Sequence, residues 1–175
     1  MKNTLFVLSF AFAMVGVASA QTFLGTTTGG PTWTRPVQGN PPTGISGVGV
    51  GVRYQTITFT VDVAGSYDFQ NTAIGGWDNF TFLYQTAFDP TNQLTNVLIG
   101  NDDNPTIGLS GFSRNLALGT DYVFVTTGFA PGDSGAYELK VSNLMGGVAT
   151  VVPEPASMAA MGLGLAALAR KRKKA

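Results

Sequence analysis

The sequence reads Arg-Tyr-Gln-Thr-Ile-Thr-Phe-Thr-Val-Asp-Val over residues 53–63, and this stretch decides the fold class. Ile57, Phe59, Val61 and Val63 recur at every second position, with a polar residue between neighbours. Successive side chains on a β-strand point to opposite faces, so a period of two places the apolar side chains together on one face. The β-branched and aromatic residues also favour a strand. The stretch therefore predicts a strand whose apolar face packs on a core.

Comparable segments recur on both sides of this strand, with turn residues between them. They lie at residues 66–69, 79–86, 94–100, 112–118, 121–125 and 136–141, and residues 33–37 add a candidate edge strand. Gly is abundant, with 23 residues, and charged residues make up 11%, a composition that disfavours helix. The sequence predicts an all-β fold, an antiparallel two-sheet sandwich of jelly-roll type with about seven or eight strands.

The first 20 residues have the parts of a secretory signal peptide. Lys2 is positively charged, residues 5–17 form an apolar run, and small residues occupy the two positions that signal peptidase reads, Ala18 and Ala20. The alternatives are a buried N-terminal helix and a membrane anchor, but the run is short for a membrane span. The sequence therefore predicts export, with cleavage after Ala20.

The C-terminus has three successive blocks. Pro153-Glu154-Pro155 comes first, residues 156–169 are uncharged and rich in Ala, Leu, Met and Gly, and a basic cluster follows. The basic residues are Arg170, Lys171, Arg172, Lys173 and Lys174. As a helix, residues 156–169 would span about 21 Å, which predicts a short transmembrane helix with its basic end in the cytoplasm. The two prolines hold the preceding backbone extended.

This order of blocks resembles the PEP-CTERM sorting signal of bacteria that make extracellular polysaccharide. The resemblance implies recognition by an exosortase, a membrane transpeptidase, at Pro153, Glu154 and Pro155. It also implies a precursor anchored in the inner membrane and a product at the cell surface or outside the cell. The alternative is an ordinary tail anchor in which the Pro-Glu-Pro sequence is accidental.

Residues 65–141 resemble the jelly-roll modules of the pre-peptidase C-terminal (PPC) group. The resemblance is carried by Gly-Ser-Tyr-Asp-Phe at 65–69, Trp-Asp-Asn-Phe-Thr-Phe-Leu-Tyr at 77–84 and Leu-Gly-Thr-Asp-Tyr-Val-Phe-Val at 118–125. It implies a non-catalytic accessory or adhesion-like module and identifies no ligand. The expected organisation is a signal peptide at 1–20, a β-sandwich domain at 21–150 and a sorting signal at 151–175.

The composition argues against several functions. The chain contains neither Cys nor His, which rules out disulfides, thiolate chemistry and the Ser-His-Asp triad. Residues 21–152 include nine acidic and four basic side chains, a net charge of about −5 that argues against nucleic acid as a partner. An enzyme would have to rely on carboxylates, Lys, Ser or Tyr, and a hydrolase that uses two carboxylates is one such alternative. We expect no catalytic residue.

Two groups of residues are candidate binding sites. Carboxylate oxygens are the ligands that Ca²⁺ prefers, although aspartates also cap ordinary turns. The candidate Ca²⁺ ligands are Asp78, Asp89, Asp102 and Asp103. Trp33 and Trp77, beside Pro31 and Gly76, are candidates for stacking on a sugar ring because these neighbours suggest exposed loops.

Together these features predict an exported, non-catalytic protein with a structural or adhesive role in an exopolysaccharide matrix. Signal peptidase and an exosortase are the expected processing enzymes, and the inner membrane is a transient partner. The alternative is a Ca²⁺-dependent or carbohydrate-binding module, and Ca²⁺ is the one candidate cofactor.

Overall fold

The computed structural model describes residues 19–152, and the regular elements in this range are all β-strands. The ten strands are β1 (Ser19–Thr26), β2 (Thr32–Pro36), β3 (Ile45–Val61), β4 (Gly65–Ile74), β5 (Asn79–Gln85), β6 (Val97–Asn101), β7 (Leu109–Leu116), β8 (Tyr122–Gly128), β9 (Ala136–Asn143) and β10 (Ala149–Val151). Short loops that contain Gly, Pro, Asn and Asp connect them, as the turn residues in the sequence predict.

The strands form two antiparallel sheets. One sheet has the order β1-β9-β4-β7, and the other has the order β10-β3-β8-β5-β6 with β2 paired to β3. Without β2 and β10, two sheets of four strands remain, and most consecutive strands belong to opposite sheets. This is the arrangement of an eight-stranded jelly roll. The predicted antiparallel two-sheet sandwich is therefore confirmed.

The described residues contain ten strands, more than the seven or eight predicted, because β1 and β10 have weak sequence signals. β1 lacks a clear apolar alternation, and β10 has only three residues. Each is defined by its partner: β1 pairs with β9 from Ser19 opposite Asn143 to Thr26 opposite Ala136, and β10 pairs with the end of β3. A neighbouring ladder can thus hold a strand whose own sequence is ambiguous.

The main core lies between the sheets and consists largely of aromatic rings. Phe69 of β4 stacks on Phe124 of β8 with 5.6 Å between ring centres, and Phe59 of β3 stacks on Tyr122 of β8 at 5.8 Å. Aromatic pairs at such distances contribute about 0.5–1.5 kcal/mol each beyond the burial of their area. The Phe69–Phe124 contact therefore joins the two sheets, whereas Phe59 and Tyr122 are cross-strand neighbours within the larger sheet.

A second apolar cluster covers the outer face of the larger sheet. Phe80, Phe82 and Tyr84 of β5 lie in it, and Trp33 of β2 covers them together with Phe88 of the loop after β5. The Trp33 ring meets Phe82 and Phe88 edge-on, with 5.5 and 5.1 Å between ring centres. As a result, residues 79–84 of β5 are buried on both faces of the sheet.

One end of the sandwich collects three loops, at residues 75–78, 102–108 and 129–135. We call it the acidic end because these loops carry four aspartates: Asp78, Asp102, Asp103 and Asp133. The backbone joins two of the loops, since Phe129 N donates a hydrogen bond to Asp78 O at 3.0 Å.

Within residues 19–152, no helix has the length and apolar character that crossing a membrane requires. The predicted transmembrane helix at 156–169 lies outside the described residues. So does most of the predicted signal peptide, but Ser19 and Ala20 are described and belong to β1.

The close packing of β4 against β7 provides a test of the fold. A Cβ added at Gly111 of β7 would overlap the carbonyl oxygen of Phe69 in β4. Because this obstacle is backbone, we expect Gly111→Ala to lower the free energy of unfolding by about 1–3 kcal/mol. Urea unfolding of the full chain measures the change.

Gly47→Ala is the matched control. No atom lies within 4 Å of a Cβ added at Gly47, so the free energy of unfolding should change by less than about 0.5 kcal/mol. Equal stability of the two variants would contradict the register of β4 and β7.

Candidate functional site at the acidic end

Three carboxylates meet at the acidic end. Asp78 immediately precedes β5, and Asp102 and Asp103 immediately follow β6. β5 and β6 are antiparallel, with Thr81 opposite Asn101, so the start of one strand lies beside the end of the other. One carboxylate oxygen from each aspartate lies within 4.8 Å of the others. We call these three residues the aspartate cluster.

Glycines shape the turn that presents Asp78. Gly75 and Gly76 have φ angles of 98° and 81°, in the left-handed region that glycine adopts without strain. Two such residues in succession let the chain turn sharply from β4 into β5. Asp78 is therefore placed at the tip of a tight connection between the two sheets.

The other side of the aspartate cluster is held by two asparagines. Asn101 Oδ1 accepts a hydrogen bond from Gly111 N at 2.9 Å, and Asn104 Nδ2 donates one to Gly111 O at 3.1 Å. These bonds attach the loop after β6 to β7. Both amides therefore position the loop that carries Asp102 and Asp103.

A buried arginine lies near the aspartate cluster, and the sequence analysis did not identify it. Arg35 is 3% exposed, and its Nε and Nη2 atoms donate to Phe129 O at 3.1 and 2.9 Å. Its guanidinium carbon lies 4.0 Å from the centre of the Phe80 ring, a cation–π contact. Among residues 19–152, the only ion pair within 4.0 Å joins Lys140 to Glu138. Arg35 therefore does not neutralise the aspartate cluster by direct contact.

The electrostatics of the aspartate cluster disfavour its full ionisation. Burial raises the pKa of Asp102 to about 6, repulsion from Asp103 and Asp78 adds to this shift, and Arg35 opposes it. Burial also raises the pKa of Asp78, together with repulsion from Asp103 and Asp133. The Oδ1 atoms of Asp78 and Asp102 are buried and have no hydrogen-bond partner within the described residues. A divalent cation placed among these oxygens would relieve the repulsion, and water could complete its coordination.

Asp89, the fourth candidate Ca²⁺ ligand, is not in the aspartate cluster. Its Oδ1 accepts hydrogen bonds from Thr91 N at 2.8 Å and Thr91 Oγ1 at 2.7 Å, which makes it part of a local turn. These bonds lower the pKa of Asp89. Asp89 therefore caps an ordinary turn, whereas the other three candidate ligands form the aspartate cluster.

The two tryptophans are not exposed, contrary to the expectation for sugar stacking. Trp33 is 5% exposed and Trp77 is 8% exposed. Trp33 Nε1 donates to Thr127 Oγ1 at 3.0 Å, and Trp77 Nε1 donates to Ala136 O at 2.9 Å. Both indoles are thus packed within the fold, and neither offers a free face to a sugar.

The remaining predicted site residues lie mostly outside the described range. They are Ala18, the motif residues Pro153, Glu154 and Pro155, and the basic residues Arg170, Lys171, Arg172, Lys173 and Lys174. Ala20 is described and lies exposed in β1.

Three surface grooves, with volumes of about 390–520 Å³, offer no pair of carboxylates. One of them is lined by a single carboxylate, that of Asp68, and the other two are lined by none. The aspartate cluster lines none of the three. A two-carboxylate site would therefore lie outside these three grooves.

The raised pKa of Asp102 makes the stability of the fold depend on pH. Folded Asp102 keeps its proton up to about pH 6, whereas an unfolded aspartate releases it near pH 4. The folded state binds more protons in this interval, so its stability falls as the pH rises from about 4 to 6. We expect Asp102→Asn to melt at a higher temperature than the wild type above about pH 7 and to converge with it below about pH 4.

Asp89→Asn is the control, because the pKa of Asp89 is lowered whereas that of Asp102 is raised. Because hydrogen bonds lower the pKa of Asp89, its charge stabilises the fold at neutral pH, and the substitution should not raise the melting temperature there. Thermal melts followed by circular dichroism across the pH range measure both variants. Identical melting of Asp102→Asn and the wild type at every pH would contradict the raised pKa.

Comparison with known proteins gives a match to a sorting motif and partial similarity to several solved structures. Among solved structures, the chain is similar to the pre-peptidase C-terminal domain of a collagenase from Bacillus anthracis, with 16% identity, a TM-score of 0.41 and coverage of 69% of this chain and 87% of that one. It is also similar to the Yersinia pseudotuberculosis-derived mitogen, with 12% identity, a TM-score of 0.40 and coverage of 71% of this chain and 86% of that one. A third similar structure is the CBM35 from Cellvibrio japonicus Abf62, with 16% identity, a TM-score of 0.36 and coverage of 76% of this chain and 99% of that one.

None of the curated proteins compared with this chain matches it. Residues 151–173 match the PEP-CTERM protein-sorting motif. The sorting signal predicted from the sequence is thereby confirmed, and the chain carries a PEP-CTERM protein-sorting motif.

Proposed function

We propose that this chain is an exported, non-catalytic protein that an exosortase processes at the inner membrane. After processing it has a structural or adhesive role at the cell surface, in an exopolysaccharide matrix. The observation that carries this proposal is the PEP-CTERM sorting motif at residues 151–173. The motif makes the chain the substrate of the processing reaction.

The position of the motif relative to the fold supports this proposal. β10 ends at Val151, and Val152 N still donates a hydrogen bond to Thr58 O at 2.9 Å. Pro153 is the next residue, so the Pro-Glu-Pro sequence of the motif begins where the sandwich ends. Processing at the motif would leave every strand of the jelly roll in place.

The other end of the chain supports the same conclusion. Cleavage after Ala20 would leave Gln21–Thr26, six of the eight residues of β1. Gln21 Oε1 accepts a hydrogen bond from Ala149 N at 2.5 Å, which joins the start of the processed chain to β10. This bond thus joins the strands at the two processed ends, β1 and β10, and the mature domain keeps both of them.

A non-catalytic role agrees with the composition and with the described surface. The chain has no His or Cys, and no pair of carboxylates lines the three grooves. The aspartate cluster lies in loops between β5, β6 and the neighbouring strands, outside these grooves.

Intact mass spectrometry of the protein from separated inner-membrane and surface fractions tests the proposal. We expect a surface form that starts at Gln21 and ends near Pro153, because signal peptidase and exosortase each remove one end. Replacing the motif prolines, Pro153→Ala with Pro155→Ala, should leave the full basic tail on a membrane-bound form.

Pro31→Ala, outside the motif, is the matched control and should be processed like the wild type. A wild-type protein that keeps Arg170–Lys174 in every fraction would contradict exosortase processing, and residues 156–169 would then be a permanent anchor.

Ca²⁺ binding at the aspartate cluster is a second candidate function. It is favoured by three carboxylates within 4.8 Å of one another and by the buried Oδ1 atoms of Asp78 and Asp102, which lack hydrogen-bond partners among the described residues. Ca²⁺ accepts six to eight oxygen ligands in flexible geometry, so it tolerates a loop site completed by water. A bound ion would link the β4–β5 turn to the loop after β6.

Thermal melts with and without millimolar Ca²⁺ test this second function. We expect the melting temperature of the full chain to rise by a few degrees, because the ion binds the folded state selectively. The rise should disappear in Asp102→Ala/Asp103→Ala and persist in Asp89→Ala. If Ca²⁺ leaves the wild-type melting temperature unchanged, the aspartates serve the loops alone.

A further inference from the structure

The interior of the sandwich becomes polar near the acidic end. Four strands there contribute side chains with no exposed surface: Asn71 from β4, Asn79 and Thr81 from β5, Ser110 from β7 and Thr126 from β8, each 0% exposed. A jelly roll normally fills this layer with apolar side chains, because an unsatisfied polar group is costly to bury. These five residues therefore require a partner for every polar atom.

Hydrogen bonds and strand register place the five side chains in one group. Asn71 Nδ2 donates to Thr126 Oγ1 at 3.1 Å across the two sheets, and Asn79 Nδ2 donates to Asn71 O at 3.0 Å. Ser110 lies opposite Asn71 in the β4–β7 ladder, and Thr81 lies opposite Thr126 in the β5–β8 ladder. Directly opposed residues project from the same face of a sheet.

Four polar atoms of this group have no hydrogen-bond partner within the described residues. They are Asn71 Oδ1, Asn79 Oδ1, Thr81 Oγ1 and Ser110 Oγ. Buried polar atoms in folded proteins are almost always paired, with protein or with ordered water. The two amide oxygens can only accept a hydrogen bond, whereas each hydroxyl can donate one.

We propose that this group is an internal water-binding site that bridges the two sheets. A water molecule donates two hydrogen bonds and accepts two, which matches the two amide oxygens and the two hydroxyls. It would donate to Asn71 Oδ1 and Asn79 Oδ1 and accept from Thr81 and Ser110. The site thereby connects β4 and β7 of one sheet to β5 of the other.

Water fits this site better than a metal ion does. All five side chains are uncharged, and a cation here would lose its hydration without gaining a counter-charge. The carboxylates of the aspartate cluster lie in the loops before β5 and after β6 rather than between the inner faces. Water carries no net charge and needs hydrogen bonds alone.

Magnetic relaxation dispersion of water ¹⁷O and ²H nuclei, measured on the full-length chain, tests the proposal. This method detects water molecules that stay inside a protein for much longer than bulk water stays at its surface. We expect a dispersion step in the wild type. The step should shrink in Thr81→Val/Ser110→Ala, which removes both donors and keeps the side chains small, while far-UV circular dichroism shows the fold retained.

Thr22→Val/Ser113→Ala is the matched control, since Thr22 and Ser113 are exposed, and its dispersion step should equal that of the wild type. A crystal structure at atomic resolution gives an independent readout that needs no variant. Density for water in contact with at least three of the four atoms supports the proposal. A wild type without a dispersion step, density for a metal ion at this position, or the four atoms paired with protein groups would overturn it.

Discussion

The burial of β5 on both faces is the constraint on which the rest of this structure depends. Its side chains from Asn79 to Tyr84 are all buried, in alternation between the inner core and the outer aromatic cluster. A strand buried in this way must have a neighbour on each side, and β5 lies between β8 and β6. It must also be covered from outside, which explains why β2 and Phe88 fold over the larger sheet.

The position of β5 also determines what gathers at the acidic end. Because β6 runs antiparallel to β5, the aspartates after β6 must approach the aspartate before β5. The first inward-facing residues of β5, Asn79 and Thr81, are polar, and Asn79 Nδ2 donates a hydrogen bond to Asn71 O of the other sheet. The aspartate cluster in the loops and the internal polar group between the sheets therefore both form where β5 begins.

The fold could be predicted from the sequence because strand alternation is a local signal. Residues 53–63 predict a strand with the correct faces, although β3 begins earlier, at Ile45, and ends at Val61. The sequence also predicts the strand at 79–86, which is β5, but no local signal shows that one face packs on the inner core and the other on an outer cluster. The prediction that Trp33 and Trp77 are exposed is wrong, because the burial of these indoles depends on strands that are distant in sequence.

The candidate site was predictable to a similar extent. If the strands at 79–86 and 94–100 pair, their loops can bring Asp78 or Asp89 near Asp102 and Asp103, and the structure shows this pairing with Asp78. Asp89 has the same residue type and a similar loop context, but its bonds to Thr91 are a local turn that a list of carboxylates does not distinguish. Arg35 gave no signal, because its burial between Phe80 and Phe129 exists only after β2 covers the sheet.

The aspartate cluster stands out because it lowers the stability of the fold at neutral pH. The raised pKa of Asp102 means that ionisation is harder in the folded chain than in the unfolded one. The charge of Arg35 offsets part of this cost, although its donors are bound to Phe129 O and Pro36 O. A sandwich needs neither three adjacent carboxylates nor an arginine held apart from them. Local features that oppose stability are expected where a site serves function, and this is the reason for proposing a Ca²⁺ site at the acidic end.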